Sequence, residues 1–226
     1  MKIMEYARKI KNKLVPQKTC FRKIMFGICK GYKLQLDLSF QFRCFIGFYE
    51  TEIAGFIKKY VESGYCCYDI GASSGYWSIA LSSLAAPGRI YSFEADRKYA
   101  DLLDKTISRN KTKSEITVFN NYVGNLVNGD TNSISIDHLV YENNLPKPDF
   151  IKMDIEGAEY DAFLGAMNVL KQFSPKIVAE VHSEDLRDNC RDLLEKIGYD
   201  VNVVDQNTLL TSRGNCYNGW LCCKKP

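Results

Sequence analysis

The chain has 226 residues, of which 46% are hydrophobic and 25% charged, and a net charge of +3. This is the composition of one globular domain with a sizeable core, with or without an extension; no apolar run approaches the roughly 20 residues that cross a bilayer, and the basic N-terminus lacks the apolar segment of a secretory leader. Nine cysteines, with Cys66-Cys67 and Cys222-Cys223 inside apolar runs and no C-x-x-C pair, predict buried thiols in a reducing, cytoplasmic setting rather than a disulfide framework or a zinc site.

The charge is unevenly spread. Residues 1–33 hold ten Lys or Arg and one acid, Glu5, so this arm carries +9 and the other 193 residues carry −6. Ile3, Ala7, Ile10 and Leu14 recur at helical spacing up to Pro16. Such a helix either covers its own core, lies on an anionic membrane as a peripheral contact, or meets an anionic partner. Next, Tyr32 to Phe45 reads as a short strand pair, with Leu34, Leu36 and Leu38 alternating with polar residues. The expected division is an extension over 1–44 and a catalytic-type domain over 45–226.

From Ile53 onward, helical stripes alternate with apolar runs. The first stripe is Ile53, Ile57, Tyr60 and Val61, closed by Gly64. Runs at about 65–70, 89–94, 115–120, 149–154, 176–181 and 199–204, with a last one at Trp220–Cys223, show no polar alternation. Strands of this kind, separated by helices, predict a doubly wound α/β domain with a parallel sheet covered on both faces. Ligands then gather at the carboxyl ends of the strands, near the point where strand order reverses.

Three features fall at those ends. The first strand leads into Gly71-Ala72-Ser73-Ser74-Gly75, a G-x-x-x-G turn and not the G-x-G-x-x-G cradle of a pyrophosphate. The second ends in Phe93-Glu94, where an acid accepts hydrogen bonds from both hydroxyls of a ribose. The fourth runs into FIKMDIEGAEYD, which sets Asp154, Glu156, Glu159 and Asp161 within eight residues. Glu159 and Asp161 read as charges favoured in the first turn of a helix. Asp154, placed by the strand, reads as a site residue. Glu180 and His182, two apart at the end of the fifth strand, share a face beside it.

Taken together, Gly47-Phe48-Tyr49-Glu50, Asp69-Ile70-Gly71-Ala72-Ser73-Ser74-Gly75-Tyr76, Phe93-Glu94, Lys152-Met153-Asp154-Ile155-Glu156-Gly157-Ala158-Glu159, Gly165-Ala166 and Pro175 through Glu180-Val181-His182 resemble the FkbM family of class I S-adenosylmethionine-dependent methyltransferases. The resemblance covers about residues 45–205. It departs at Ser73, where the family usually has Asn. It implies a Rossmann-like, mostly parallel seven-stranded sheet and S-adenosylmethionine as cofactor. By the resemblance, Gly71, Ala72, Ser73, Gly75 and Tyr76 face the methionine end, and Asp69 fixes the turn or holds the amino group. Glu94 takes the ribose, Asn121 and Tyr122 flank the adenine, and Glu50 and Asp154 complete the cofactor site.

Asp154 and His182, with Glu180 orienting them, are the catalytic candidates for deprotonating or positioning an acceptor hydroxyl, and His182 is the best candidate base because an imidazole is largely neutral at about pH 7.5. They are also acceptable ligands for magnesium, but one strand-end carboxylate and a Glu-x-His pair do not specify a closed metal site, so none is assigned. The motifs of nucleobase amino-methylation, base C5 methylation and ribose methylation are missing. An oxygen acceptor on a small molecule or glycan is expected, and specific nucleic-acid binding is not. An NAD-dependent oxidoreductase and a silent S-adenosylmethionine-binding module remain the alternatives.

Overall fold

The computed structural model describes residues 18–125, 132–206 and 218–226. The basic helix expected over Ile3–Leu14 lies outside them. Seven strands form one sheet: β3 (Cys66–Ile70), β4 (Arg89–Phe93), β5 (Glu115–Phe119), β8 (Phe150–Met153), β9 (Lys176–Val181), β10 (Asp200–Asp205) and β11 (Gly219–Lys224). Each apolar run of the sequence supplies one of them. The order is β10-β11-β9-β8-β3-β4-β5, with β11 antiparallel to both neighbours and all other pairs parallel. The central strands are mostly apolar because side chains on both faces are buried; Asp69, Lys152 and Glu180 are the buried charged exceptions inside β3, β8 and β9. Between β5 and β8 the chain holds a short parallel pair, β6 (Tyr122–Val123) and β7 (Ser133–Ile134), and then α5 (Ile136–Tyr141).

One face of the sheet holds Tyr68, Ile70, Phe93, Ile151 and Met153, covered by α6 (Glu159–Leu164), α7 (Met167–Phe173) and α8 (Glu184–Lys196). The helical stretch there is split in two at Gly165-Ala166. The opposite face holds Cys67, Ile90, Phe150, Val178 and Trp220, covered by α2 (Thr51–Tyr60) and α3 (Tyr76–Leu84). On the outer side of the sheet, α4 (Arg97–Ser108) packs along β5. Among the described residues, no helix is long and apolar enough to cross a membrane. Eight cysteines are described; all are unpaired thiols, and seven are buried.

The segment before the sheet differs from the sequence expectation. Tyr32–Phe45 is not a strand pair: only β2 (Lys33–Leu36) is extended, and its antiparallel partner is β1 (Cys20–Lys23), from Cys20 opposite Leu36 to Lys23 opposite Lys33. Asp37 stops the strand. Its carboxylate accepts the Ser39 N–H at 2.8 Å and caps α1 (Leu38–Ile46). The alternating leucines fit the strand, but the local cap turns the next residues into a helix.

The hairpin is not a loose appendage. Leu34 and Leu36 belong to the same buried cluster as Ile53, Ile57, Trp77 and Trp220. Leu36→Ala is therefore expected to lower the global unfolding free energy by about 2–5 kcal/mol, the usual cost of truncating a packed leucine. Urea denaturation checks this; a loss below about 1 kcal/mol would show that the hairpin stands outside the cooperative core.

Candidate active site

Strand order reverses between β3 and β8: the chain runs outward through β4 and β5, then returns to the other side of β3. Here Asp154 donates its N–H to the Ile70 carbonyl at 2.9 Å, which ties the end of β8 to the end of β3. Gly71 sits directly against it with φ +75°, and a Cβ there would overlap the Asp154 carbonyl oxygen. Only glycine allows both the left-handed backbone and the close approach. The turn and Asp154 are therefore built as one unit, at the place where such sheets bind ligands.

A cleft of about 730 Å³ opens at this point. On one side it is lined by Gly71–Ser74, Glu94, Tyr99, Asn121 and Tyr122, on the other by Phe40, Gln41, Arg43 and Cys44 of α1, and its floor holds Glu50, Lys152, Asp154, Glu156 and Glu180. Glu94 is fixed from both sides. Its carboxylate accepts the Ser73 N–H at 2.8 Å and the Asp96 N–H at 2.9 Å, while its carbonyl accepts from Asn120 at 2.8 Å. The rim residues Tyr99 and Phe40, exposed aromatics on α4 and α1, did not stand out in the sequence.

The floor is a buried charge cluster. Lys152 is 3% exposed and stands 3.6 Å from Asp154 Oδ2. Burial works against its ammonium, but Asp154, Asp69, Glu50 and Glu180 together hold its pKa above the usual value. Glu50 is buried and accepts the Trp77 Nε1–H at 2.6 Å. Burial pushes its carboxyl up to about 7, against the pull of Lys152 and helped by Asp154. Burial also raises Glu180, with the charges of Asp154 and Glu50 adding to the effect.

His182 lies beside this row. Its Nε2 is 3.5 Å from Asp154 Oδ1, 3.5 Å from Glu156 Oε2 and 3.9 Å from Glu180 Oε1, and its Nδ1 is 3.2 Å from Glu159 Oε1. Burial disfavours the imidazolium, but Glu159, Glu180 and Asp154 outweigh it and raise its pKa. Both ring nitrogens are buried and His182 does not line the cleft, whereas Asp154, Glu156 and Glu180 do. One ligand atom from each of Asp154, Glu180 and His182 lies within 4.8 Å of the others, a spacing that also suits a cation. Lys152 and His182 already set positive charge against the same oxygens.

Of the other residues singled out in the sequence, Ala72, Ser73, Tyr76, Asn121 and Tyr122 line the cleft, and Asp69 and Gly75 do not. Asp69 is buried under the turn, where it accepts from Ser78 Oγ at 2.5 Å. Gly75 begins α3 and packs on Leu103. Two members of the cluster escaped the sequence reading. Glu159, expected as a helix-end charge, is completely buried, accepts from the Ile155 and Gly157 N–H groups, and faces His182. Lys152 had a signal: a charge in an apolar strand, two residues before Asp154 and so on the same face.

The elevated Glu50 carboxyl gives a pH dependence with a definite sign. The folded protein keeps this proton up to about 7, whereas the unfolded chain releases it near 4.5. Between those values the folded state binds more protons, so this group's contribution to stability falls as pH rises. Glu50→Gln, which keeps an acceptor for Trp77, is expected to flatten the decline seen by urea denaturation between pH 5 and pH 8. An equal decline in both proteins would mean that Glu50 is ionised throughout.

No curated protein sequence matches the chain. Among solved structures, an FkbM methyltransferase from Methylobacillus flagellatus KT is similar at 22% identity and a TM-score of 0.52, over 70% of this chain and 43% of that one. TYW2 from P. horikoshii, solved in complex with MeSAdo, aligns at 15% identity and a TM-score of 0.57 over 92% of this chain and 72% of that one. An S-adenosylmethionine-dependent O-methyltransferase from Thermotoga maritima aligns at 11% identity and a TM-score of 0.57, covering 80% and 66% of the two chains. At these identities the likeness is one of fold, the class I methyltransferase sheet. The sequence profile of the FkbM methyltransferase domain matches residues 69–201, more than half of the chain. That match begins at the aspartate beneath the glycine turn and takes in Glu94, Asp154 and His182, and the chain accordingly belongs to the FkbM methyltransferase family, with S-adenosylmethionine as its cofactor.

Proposed function

We propose that the protein transfers the methyl group of S-adenosylmethionine to a hydroxyl on a small molecule or sugar, with Asp154 and Glu180 meeting the hydroxyl and His182 setting their charge. Glu180 carries this reading: it is a buried carboxylate on the cleft floor whose pKa is raised by burial and by Asp154 and Glu50. Raising the pKa of a carboxylate makes it a stronger base at neutral pH, which transfer to an alcohol requires and transfer to a softer nucleophile does not. After β8 comes Asp154-Ile155-Glu156-Gly157, which lacks the Asn/Asp-Pro-Pro-Tyr/Phe run expected for amino-methylation of nucleobases.

The cleft suits the cofactor chemically. The close turn at Gly71 lets a ligand approach the backbone, and Glu94 supplies an acceptor oxygen for a ribose. Tyr99, Asn121 and Tyr122 flank the same side and fit an adenine, while Asp154 offers negative charge to the cationic end and Glu50 an acceptor oxygen. Asp69 acts from beneath the turn, through Ser78 and Lys152, without touching the ligand. When bound, the cofactor supplies an electrophilic methyl on a sulfonium. The protein's part is alignment and removal of one proton. The hydroxyl hydrogen-bonds to Asp154 and Glu180, and the proton passes to Glu180. His182, held from behind by Glu159, keeps Asp154 turned toward the cleft. Unpaired cysteines suit a cytoplasmic setting for this chemistry.

The roles separate in pH profiles. With a panel of small alcohols and glycans and a labelled methyl donor, the rate should climb with pH through an apparent pKa above the ordinary carboxylate range, in keeping with the raised Glu180. Glu180→Gln should lower kcat by about 10²–10⁴-fold and remove that limb. His182 lowers the Glu180 pKa, so His182→Gln should keep the limb and move it to higher pH. Were His182 itself the base, the limb would vanish in that variant. Activity lost on chelation and restored by magnesium would replace the base with a metal ion, and cofactor binding without turnover on any hydroxyl would leave a binding module.

A further inference from the structure

A second feature lies outside the cleft, on the segment that precedes the family match. Met25, Phe26 and Phe48 are 45%, 52% and 54% exposed, unusual for large apolar side chains. They belong to two chain segments pressed together. The Met25 N–H bonds to the Phe45 carbonyl at 3.0 Å. Gly27 and Gly47 both have positive φ, a Cβ on Gly27 would overlap the Gly47 carbonyl oxygen, and one on Gly47 would overlap the Phe26 carbonyl. This contact brings the chain at Phe26 next to the chain at Phe48, and both side chains are exposed there. The same chain continues into the cleft wall at Tyr49 and Glu50.

The surroundings of the patch are basic. Residues 18–33 contain Lys18, Arg22, Lys23, Lys30 and Lys33 and no acid, and all four lysines are exposed. Lys23 and Lys30 bracket the Met25-Phe26 loop. Charge then selects the occupant. A second copy of the chain would bring the same positive rim to the contact. The N-terminal arm would also bring like charge, since residues 1–17 hold Lys2, Arg8, Lys9, Lys11 and Lys13 against Glu5 alone. An anionic bilayer satisfies both components at once: it takes apolar side chains below its headgroups and attracts the lysines above them.

We propose that Met25, Phe26 and Phe48, with Lys23 and Lys30 on either side of the Met25-Phe26 loop, form a docking surface for an anionic lipid bilayer, which holds the neighbouring cleft mouth against the membrane. The proposal goes beyond methyl transfer and does not depend on which group is methylated. Acceptors lying at the bilayer surface would then reach the cleft more readily than acceptors in solution.

The test uses the full chain in cosedimentation with vesicles. At low salt the protein should pellet with phosphatidylcholine vesicles containing phosphatidylglycerol, should not pellet with phosphatidylcholine alone, and should be released by high salt. The Met25→Ser, Phe26→Ser, Phe48→Ser triple variant should bind the anionic vesicles at least about tenfold more weakly, because the apolar area that enters the bilayer is lost. Lys23→Glu with Lys30→Glu should weaken binding to a similar degree. Cofactor affinity by calorimetry, unchanged in both variants, confirms that they are folded. Vesicle binding equal to wild type in the triple variant would overturn the proposal and leave the basic arm as the sole membrane contact. A dimer of the wild-type chain that dissociates in the triple variant, seen by sedimentation equilibrium without vesicles, would overturn it in favour of self-association.

Discussion

One buried ammonium organises this site. Lys152 sits on the cleft floor at 3% exposure, and four carboxylates converge on it: Asp69 from β3, Glu50 from the entry to α2, Asp154 from the end of β8 and Glu180 from β9. None of these acids would remain ionised at such depth alone, since desolvation costs several kcal/mol per charge. Together they hold Lys152 charged, and Lys152 holds them in place. Removing one partner from a buried charge network typically costs about 3–5 kcal/mol, so the cluster fixes the relative positions of three strands and a helix start. Charge is still out of balance: with Glu156 and Glu159 included, six carboxylates face Lys152 and His182. Raised carboxyl pKa values at Glu50, Asp69 and Glu180 express that imbalance. On the proposed function, a sulfonium bound at this floor would relieve it and a neutral thioether would not.

The backbone around the cleft is strained in the same region. Among the described residues, five that are not glycine have φ in the left-handed range, and three of these, Glu50, Ser73 and Glu156, line the cleft. Each such conformation costs on the order of 1–3 kcal/mol and persists where surrounding bonds impose it. At Glu50 the imposing bond is the one from Trp77, and at Ser73 it is the N–H donated to Glu94. The φ of +48° at Ser73 also accounts for the family's preference for asparagine at this position. Asparagine enters the left-handed region several-fold more readily than most residues, so serine holds the same turn at a higher conformational cost.

How far the sequence discloses each feature depends on how that feature is encoded. The sheet is legible because strands buried on both faces must be apolar end to end, and Glu94, Asp154, Glu180 and His182 are legible because they interrupt such runs at their carboxyl ends. Lys152 carries the same kind of signal, one charge inside an apolar strand. Glu159 carries none. Its position suits a helix N-terminus equally well whether it faces water or folds back on His182, and only the tertiary contact, 3.2 Å across 23 residues, separates the two. The hairpin is ambiguous for a similar reason: alternating leucines mark Lys33–Leu36 as a strand but not the side on which its partner lies. That choice is made by Asp37, whose cap commits the residues after it to a helix.

The two sides of the cleft have different origins in the chain. Gly71–Ser74, Glu94, Tyr99, Asn121, Tyr122 and Asp154 all fall within residues 69–201, the stretch matched by the family profile. Phe40, Gln41, Arg43, Cys44, Glu50 and Gln206 line the same cleft from outside it. On the proposed function the first group must keep its chemistry, since the glycine turn, Glu94 and Asp154 would then answer to one molecule. Apart from Glu50, which belongs to the charged floor, the second group answers to no such constraint. Its wall is α1, a short helix held by the Asp37 cap, the Gly27–Gly47 contact and the burial of Leu38 and Cys44 in the core, so its exposed face can change without disturbing the turn or the charged floor. In this chain that exposed face carries an aromatic, Phe40, at 76% exposure on the rim of the cleft.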